Sequence, residues 1–385
     1  MRARPLSAVL LACVLGIGFS GPPTAQSQAA ATVKAAYDKR ETYVRMRDGV
    51  RLFTAIYAPK DQSKPYPILL TRTPYSIAPY GPDEYRTSVG PSPAFTRDGY
   101  IVVYQDVRGR WMSEGTFDDM RPHRERKGAI EIDESTDTFD TIEWLVKNVP
   151  NHNGRVGLWG ISYPGFYTSA GMIDAHPALK AASPQAPVAD WFSADDWHHN
   201  GAFLLAHAFG WFSRNGWPFT RPTTERPGTP IDFGTEDGYQ FYLELGPLRN
   251  ANLRHFKGEM PFWNAMMAHD RKDEFWTARN ILPHLKGIKP AVMTVGGWFD
   301  AENLYGALET YRAVERQSRD TSNILVMGPW VHGGWARQSG AALGDVRFGP
   351  DPSAFYQEQI ELPFFNAHLK GTGAAELPEA KRLRK

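Results

Sequence analysis

The sequence has a single cysteine, Cys13, among its 385 residues. It can close no intrachain disulfide, and a paired-cysteine metal motif is excluded. It carries no excess of either charge: 43 basic residues face 42 acidic ones, so there is no global field to recruit nucleic acid or an anionic membrane. Long hydrophobic runs are missing as well. The longest, from Ala8 to Phe19, falls short of the roughly 20 residues that a spanning helix needs. Neither an H-E-x-x-H pattern nor a phosphate-cradling glycine-rich loop occurs. These absences imply no metal, no nucleotide cofactor and no membrane span. They leave a small molecule as the expected partner and say nothing of oligomeric state.

What is present begins at the amino terminus. Arg2 and Arg4 precede the apolar run, and the small residues Thr24 to Ala30 follow it, the layout of a secretory signal with its cleavage region. Residues 1–29 are read as that signal, which predicts a periplasmic or extracellular protein. Leu10-Leu11-Ala12-Cys13 has some likeness to a lipoprotein cleavage box, but Val14, Leu15 and Ile17 continue the apolar core, which suits an ordinary signal better. The exported chain would then hold no thiol, and its stability would come from packing. At 42% hydrophobic residues, a full-sized core is available.

Beyond the signal, Thr42–Met46 and Val50–Tyr57 alternate like two strands around the turn residues Arg47-Asp48-Gly49. Short apolar runs follow at Pro67–Leu70, Ile101–Tyr104, Val156–Trp159, Ala291–Val295 and Ile324–Met327. Runs this short and this apolar suit strands buried on both faces, hence a mostly parallel sheet covered by helices. The fold class is α/β. Between Trp197 and Pro283 the alternation gives way to a Trp-, Phe- and His-rich stretch with helical patches such as Ala202–His207. It reads as an inserted helical cap, residues 197–283, between two parts of a core, 30–196 and 284–385. Its aromatics could roof the carboxyl edge of the sheet, where ligands bind in open α/β sheets. They could equally form an ordinary hydrophobic subdomain.

Within this frame, the strand Arg155–Trp159 runs into Gly160-Ile161-Ser162-Tyr163-Pro164-Gly165 and then a small-residue stretch. That is the strand, sharp turn and helix of a nucleophile elbow, although the second glycine of G-x-S-x-G falls one place late. A serine hydroxyl needs a base, and the base needs a carboxylate to fix its tautomer. In α/β-hydrolases the chain order is nucleophile, acid, histidine. Asp300 and His332 meet that order, each a few residues past the end of an apolar run. Asp300 would also serve as a helix N-cap and His332 as a plain loop residue. Asp195, Asp196, His198 and His199 crowd together, but adjacent side chains rarely converge on one ion.

Gly160-x-Ser162-Tyr163-x-Gly165, with Arg72-Thr73-Pro74-Tyr75 and Asp106-x-Arg108-Gly109-x-x-x-Ser113-x-Gly115-x-Phe117, resembles the X-Pro dipeptidyl-peptidase and cocaine-esterase superfamily. Asp195–Gly201 and Gly297–Glu302 are similar to the α-amino-acid ester hydrolases, some of them labelled glutaryl-cephalosporin acylases. The resemblance implies an α/β-hydrolase fold and a serine hydrolase working through Ser162, Asp300 and His332. Its oxyanion hole would be the Tyr163 amide and the Tyr75 hydroxyl. It also implies a carboxylate cluster for a substrate ammonium, with Asp196 and Glu302 retained and an uncharged Asn303 in the third place. The Asp106, Arg108 and Gly109 group is read as structural, a buried ion pair beneath the site. Members of the family usually continue into a jelly-roll β-sandwich, and this sequence ends near where one would begin, so that domain is expected to be missing. Three activities stay open: amino-acid ester hydrolysis, X-Pro dipeptidyl-peptidase or cocaine-esterase-like hydrolysis, and an inactive truncated scaffold.

Overall fold

The computed structural model describes residues 25–371. Residues 1–24 of the expected signal (1–29), with Cys13, and the basic tail from residue 372 lie outside the described residues. A helix, Ala25–Ala36, leads into β1 (Tyr37–Arg45), which pairs antiparallel with β2 (Arg51–Pro59) across the Arg47-Asp48-Gly49 turn. The later strands are β3 (Tyr66–Thr73), β4 (Ile101–Asp106), β5 (His152–Ile161), β6 (Leu179–Gln185), β7 (Ala291–Gly297) and β8 (Asn323–Gly328). They form one sheet in the order β1-β2-β4-β3-β5-β6-β7-β8. β2 and β4 pair antiparallel, and every pairing from β4 through β8 is parallel. All residues of β4 and β7 are buried, as expected for strands covered on both faces. β6 has no counterpart among the predicted strands. Its sequence, Leu-Lys-Ala-Ala-Ser-Pro-Gln, holds small and polar residues and a proline, and gives no apolar run to read.

The residues of the upstream motifs do structural work under the sheet edge. Arg72 on β3 is fully buried and donates to Gln105 Oε1 at 2.8 Å and to Glu134 Oε2 at 3.1 Å, which ties the sheet to the helix Glu134–Asn148. Removing one partner of such a buried pair typically costs about 3–5 kcal/mol, because a charge is left uncompensated. The ion pair expected within the Asp106–Arg108 motif is arranged differently. Arg108 pairs with Asp137 at 2.7 Å and Asp48 at 2.6 Å. Asp106 instead accepts from the Ile77 and Met112 amides and the Tyr80 hydroxyl. Burial pushes its pKa up to about 7, so Asp106 is a hydrogen-bonded carboxyl and its charge is not matched by Arg108.

Residues 197–283 hold the helices Leu205–Asn215, Gly238–Leu245, Pro261–Ala268 and Glu274–Thr277. The helical patch read at Ala202–His207 starts only at Leu205, because Ala202-Phe203 pair with His198-His199 as a short ribbon. Phe209, Phe212, Phe256 and Trp263 are fully buried and pack on one another, with the Phe209 and Phe256 rings stacked at 4.7 Å. Each such side chain contributes roughly 1.5–3 kcal/mol on burial. Most aromatics of this segment therefore form its own core, and only Trp211 and Asn215 of it line the cavity above Ser162.

Candidate active site

Ser162 stands at the turn between β5 and the helix Tyr163–Gly171, with φ 70° and ψ −128°. A non-glycine residue held there stores of order 1–3 kcal/mol of strain. The neighbours enforce it: the Ser162 N–H donates to the Gln185 carbonyl of β6 at 2.9 Å. A Cβ on Gly160 would lie 2.3 Å from the Pro164 carbonyl oxygen, and one on Gly165 would lie 2.6 Å from the Gln185 carbonyl oxygen. The late second glycine thus lets the helix approach the same carbonyl that anchors the serine amide.

Asp300 and His332 lie beyond the ends of β7 and β8. The His332 Nδ1–H donates to Asp300 Oδ2 at 2.9 Å, and since an ionised carboxylate only accepts, this places the proton on Nδ1 and leaves Nε2 to act as base. The other Asp300 oxygen accepts from the Glu302 and Asn303 amides at 2.8 and 2.9 Å, just ahead of the helix Leu304–Gln317. Asp300 therefore shapes the turn before that helix and orients the histidine at once. Burial works to raise the Asp300 pKa, but the His332 hydrogen bond and charge and the two amides bring it below the usual carboxylate value. Burial works to lower the His332 pKa, yet Asp300, Glu302 and Asp196 leave it raised. Ser162, His332, Tyr75, Glu302, Trp211 and Arg337 line one cavity of about 420 Å³.

The Tyr75 hydroxyl accepts from Trp211 Nε1 at 3.1 Å, which leaves its own proton free to be donated. Burial raises its pKa well above the ordinary phenol value, so it stays protonated at neutral pH. The Tyr163 hydroxyl accepts from the Met120 amide at 2.7 Å and donates to Asp119 Oδ1 at 3.1 Å. Its ring packs at 6.3 Å from that of Tyr75. That anchorage fixes the backbone amide of Tyr163 next to Ser162.

Asp196 and Glu302 are brought to the same region, and Asn303 with them in a different role. Asn303 is fully buried and its amide donates to Asp196 Oδ2 at 2.8 Å. Trp191 Nε1 donates to the same oxygen at 3.0 Å. Asp195 points away and accepts from the Ala189, Asp190 and Gly306 amides, while His198 donates to the Trp191 carbonyl. One residue was not found by sequence reasoning. His207, on the helix Leu205–Asn215, places Nε2 3.4 Å from Asp196 Oδ1 and 4.0 Å from Glu302 Oε2. Nothing in its local pattern marks it, because its partners are 11 and 95 residues away.

The X-Pro dipeptidyl-peptidase (S15 family) model matches residues 48–334, a span that contains the elbow, Asp300 and His332. The chain belongs to the S15 family. Cocaine esterase from Rhodococcus sp. (strain MB1 Bresler) is 30% identical over 340 residues, covering 85% of this chain and 54% of the esterase. A solved α-amino acid ester hydrolase superposes with a TM-score of 0.78 at 33% identity, covering 94% of this chain and 58% of that one. An aminopeptidase from a marine sediment archaeon, Thaumarchaeota archaeon, also gives 0.78, at 32% identity, with 88% and 55% covered. The chain thus spans little more than half the length of these relatives, and its fold is the α/β-hydrolase fold.

Two kinetic consequences follow for this S15 member. If the Tyr75 hydroxyl is an oxyanion donor, Tyr75→Phe, which deletes the hydroxyl while keeping the ring, is expected to lower kcat about 10²–10³-fold with KM little changed. Steady-state kinetics on one ester would show it. If His332 is the general base it must be neutral, and its pKa is raised above the ordinary histidine value of about 6.5. The acid limb of the kcat/KM profile is therefore expected above pH ~6.5, and a limb at or below that value would contradict the assignment.

Proposed function

We propose that this protein is an exported serine hydrolase that cleaves small esters or amides through an acyl-enzyme, with α-amino-acyl groups as the preferred acyl part. The observation that carries this reading is the His332–Asp300 pair opening on the cavity that holds the strained Ser162. Ser162 Oγ attacks the substrate carbonyl while His332 Nε2 takes its proton. The resulting oxyanion is received by the Tyr163 amide and the Tyr75 hydroxyl. Collapse breaks the bond to the leaving group, which departs with the proton from His332. Water then attacks the acyl-enzyme by the same route, giving the acid and free Ser162. Export is supported by the Arg2, Arg4 and Ala8–Phe19 pattern, and amino-terminal sequencing of protein recovered outside the cytoplasm would test it.

The amino-acyl preference is supported by Glu302, which lines the cavity, and by Asp196, whose charge acts on His332. Cocaine-esterase-like hydrolysis of uncharged aryl esters is the second reading, favoured by the neutral Asn303 at the third position. The deciding experiment treats purified protein with a fluorophosphonate probe, reads its intact mass, and then compares amino-acid esters, X-Pro amides and simple aryl esters. One adduct with the first class hydrolysed fastest supports the proposal; no adduct on folded protein would sink it. Asp196→Asn should raise KM about tenfold for esters with a free α-amine and much less for their N-acylated counterparts. Equal effects on both would remove the amine-binding role.

A further inference from the structure

The cavity above Ser162 carries both signs of charge. Of the residues that line it, Glu302 alone is acidic, while Arg86 and Arg337 bring two guanidinium groups. Side chains alternate across the sheet, so that Ile68 and Leu70 enter one core and Leu69 the other. Tyr75 and Trp211 pack with the first core, and Tyr104, Trp159 and Ile161 with the second. The cavity thus has two walls that meet at the sheet edge. Glu302 Oε2 lies 4.0 Å from His207 Nε2 on the helix that carries Trp211, hence toward the first wall. The two arginines belong to the second.

Neither guanidinium is neutralised. Arg86 lies over the Tyr104 ring at 4.4 Å and donates to the Ala78 and Ile77 carbonyls at 2.7 and 3.4 Å. Both bonds leave from Nη1, so Nε and Nη2 face no carboxylate or carbonyl. Arg337 has no hydrogen-bond or ion-pair partner among the described residues. A Cβ on Gly333 would lie 3.3 Å from Arg337 Cζ and 3.4 Å from Ile161 Cγ2. The Arg337 guanidinium therefore folds over the residue that follows His332 and beside the residue that precedes Ser162. The Trp159 indole N–H, buried in the same wall, also finds no acceptor. A wall this rich in donors and bare of carboxylates is matched to an anion, and guanidinium forks hold a carboxylate through paired N–H···O bonds.

We propose that Arg86 and Arg337 form a subsite for a carboxylate carried by the leaving group of the substrate. The inference rests on the Ser162 acyl-transfer reading and extends it to the other half of the substrate. On the amino-acyl reading, Asp196 and Glu302 take the acyl amine, which leaves the arginine wall for the group that departs. His332 gives that group its proton, and Arg337 folds over Gly333, the next residue along. The bond from the carbonyl carbon to the leaving oxygen or nitrogen breaks, the proton passes from His332 Nε2 to that atom, and a hydroxy acid or amino acid is released with its carboxylate still ionised. The favoured substrate is then an amino-acyl derivative of a hydroxy or amino acid, positive at its acyl end and negative at its leaving end. A cavity of about 420 Å³ has room for both parts.

The test compares the phenylacetyl esters of 3-hydroxybenzoic acid and 3-hydroxybenzamide, two leaving groups of one shape that differ in charge. Their acyl part carries no amine, so the outcome does not depend on Asp196 or Glu302. Each rate is divided by that of uncatalysed hydrolysis. In wild-type protein at about pH 8 and low salt, kcat/KM should favour the carboxylate ester by about tenfold, as for a partly exposed charge-assisted pair. The preference should shrink in roughly 0.5 M NaCl, where screening acts over a few ångströms. Arg86→Gln and Arg337→Gln should each remove part of it, and the double variant all of it, whereas Arg86→Lys keeps the charge and most of the preference. Arg337→Glu should turn selection toward the 3-(trimethylammoniomethyl)phenyl ester, a reversal that a merely structural arginine would not give. A preference that is absent from wild-type protein, or that survives in the double variant, would overturn the subsite while leaving the serine mechanism intact. Folded wild-type protein that hydrolyses none of the three esters would overturn both.

Discussion

Ser162→Ala is expected to abolish turnover, lowering kcat by on the order of 10⁶-fold, the loss seen when a serine nucleophile is removed from an intact triad. The fold should survive. No hydrogen bond from the Ser162 side chain caps the following helix, and alanine meets the same backbone strain at φ 70° as serine does. The anchors of the turn are the Gln185 carbonyl and the close approach of Gly160 and Gly165, and the substitution leaves all of these in place. Circular dichroism and an unfolding free energy within about 1 kcal/mol of wild type would establish that the protein is folded. Substantial turnover in such a folded variant would reject Ser162 as the nucleophile.

Asp300→Asn should cost about 10⁴-fold in kcat, by a different route. The amide oxygen of asparagine can still accept from the Glu302 and Asn303 backbone, so the turn before the helix Leu304–Gln317 is kept. Its NH₂ then faces His332 Nδ1 and donates to it. That shifts the imidazole proton to Nε2, where it points at the serine and cannot receive the serine proton. KM should change little, since Asp300 does not line the catalytic cavity. A fall of less than tenfold in a folded variant would mean that Glu302, rather than Asp300, orients the base.

The parts of this site legible in sequence were those whose chemistry is local. Ser162 is announced by the glycines on either side of its turn, and Asp300 and His332 by apolar runs that end shortly before them. The buried strands β4 and β7 were legible for the same reason, since burial on both faces leaves a continuous apolar string. β6 was not. It is buried through satisfied polar groups: the Ser183 hydroxyl donates to the Met293 carbonyl, and the Gln185 amide to Glu361. A pattern of apolar residues cannot register a strand held that way. Arg108 was seen as half of an ion pair, but its partners Asp48 and Asp137 lie 60 and 29 residues off, and only the fold chooses among distant acids. His207 was hidden by the same distance.

His207 and Trp211 sit four residues apart on the helix Leu205–Asn215, hence on one face of it. One reaches the Asp196 and Glu302 carboxylates and the other holds the Tyr75 hydroxyl. A single rigid lever therefore touches both the carboxylates proposed to select the substrate and the hydroxyl proposed to receive the developing negative charge. On that proposal, selectivity and turnover are not adjusted separately from this helix. A substitution that tilts it, even far from either side chain, will move both together, so directed evolution of a new acyl preference would progress faster through Asp196, Glu302 or the cavity wall at Arg337 than through the helix that spans them.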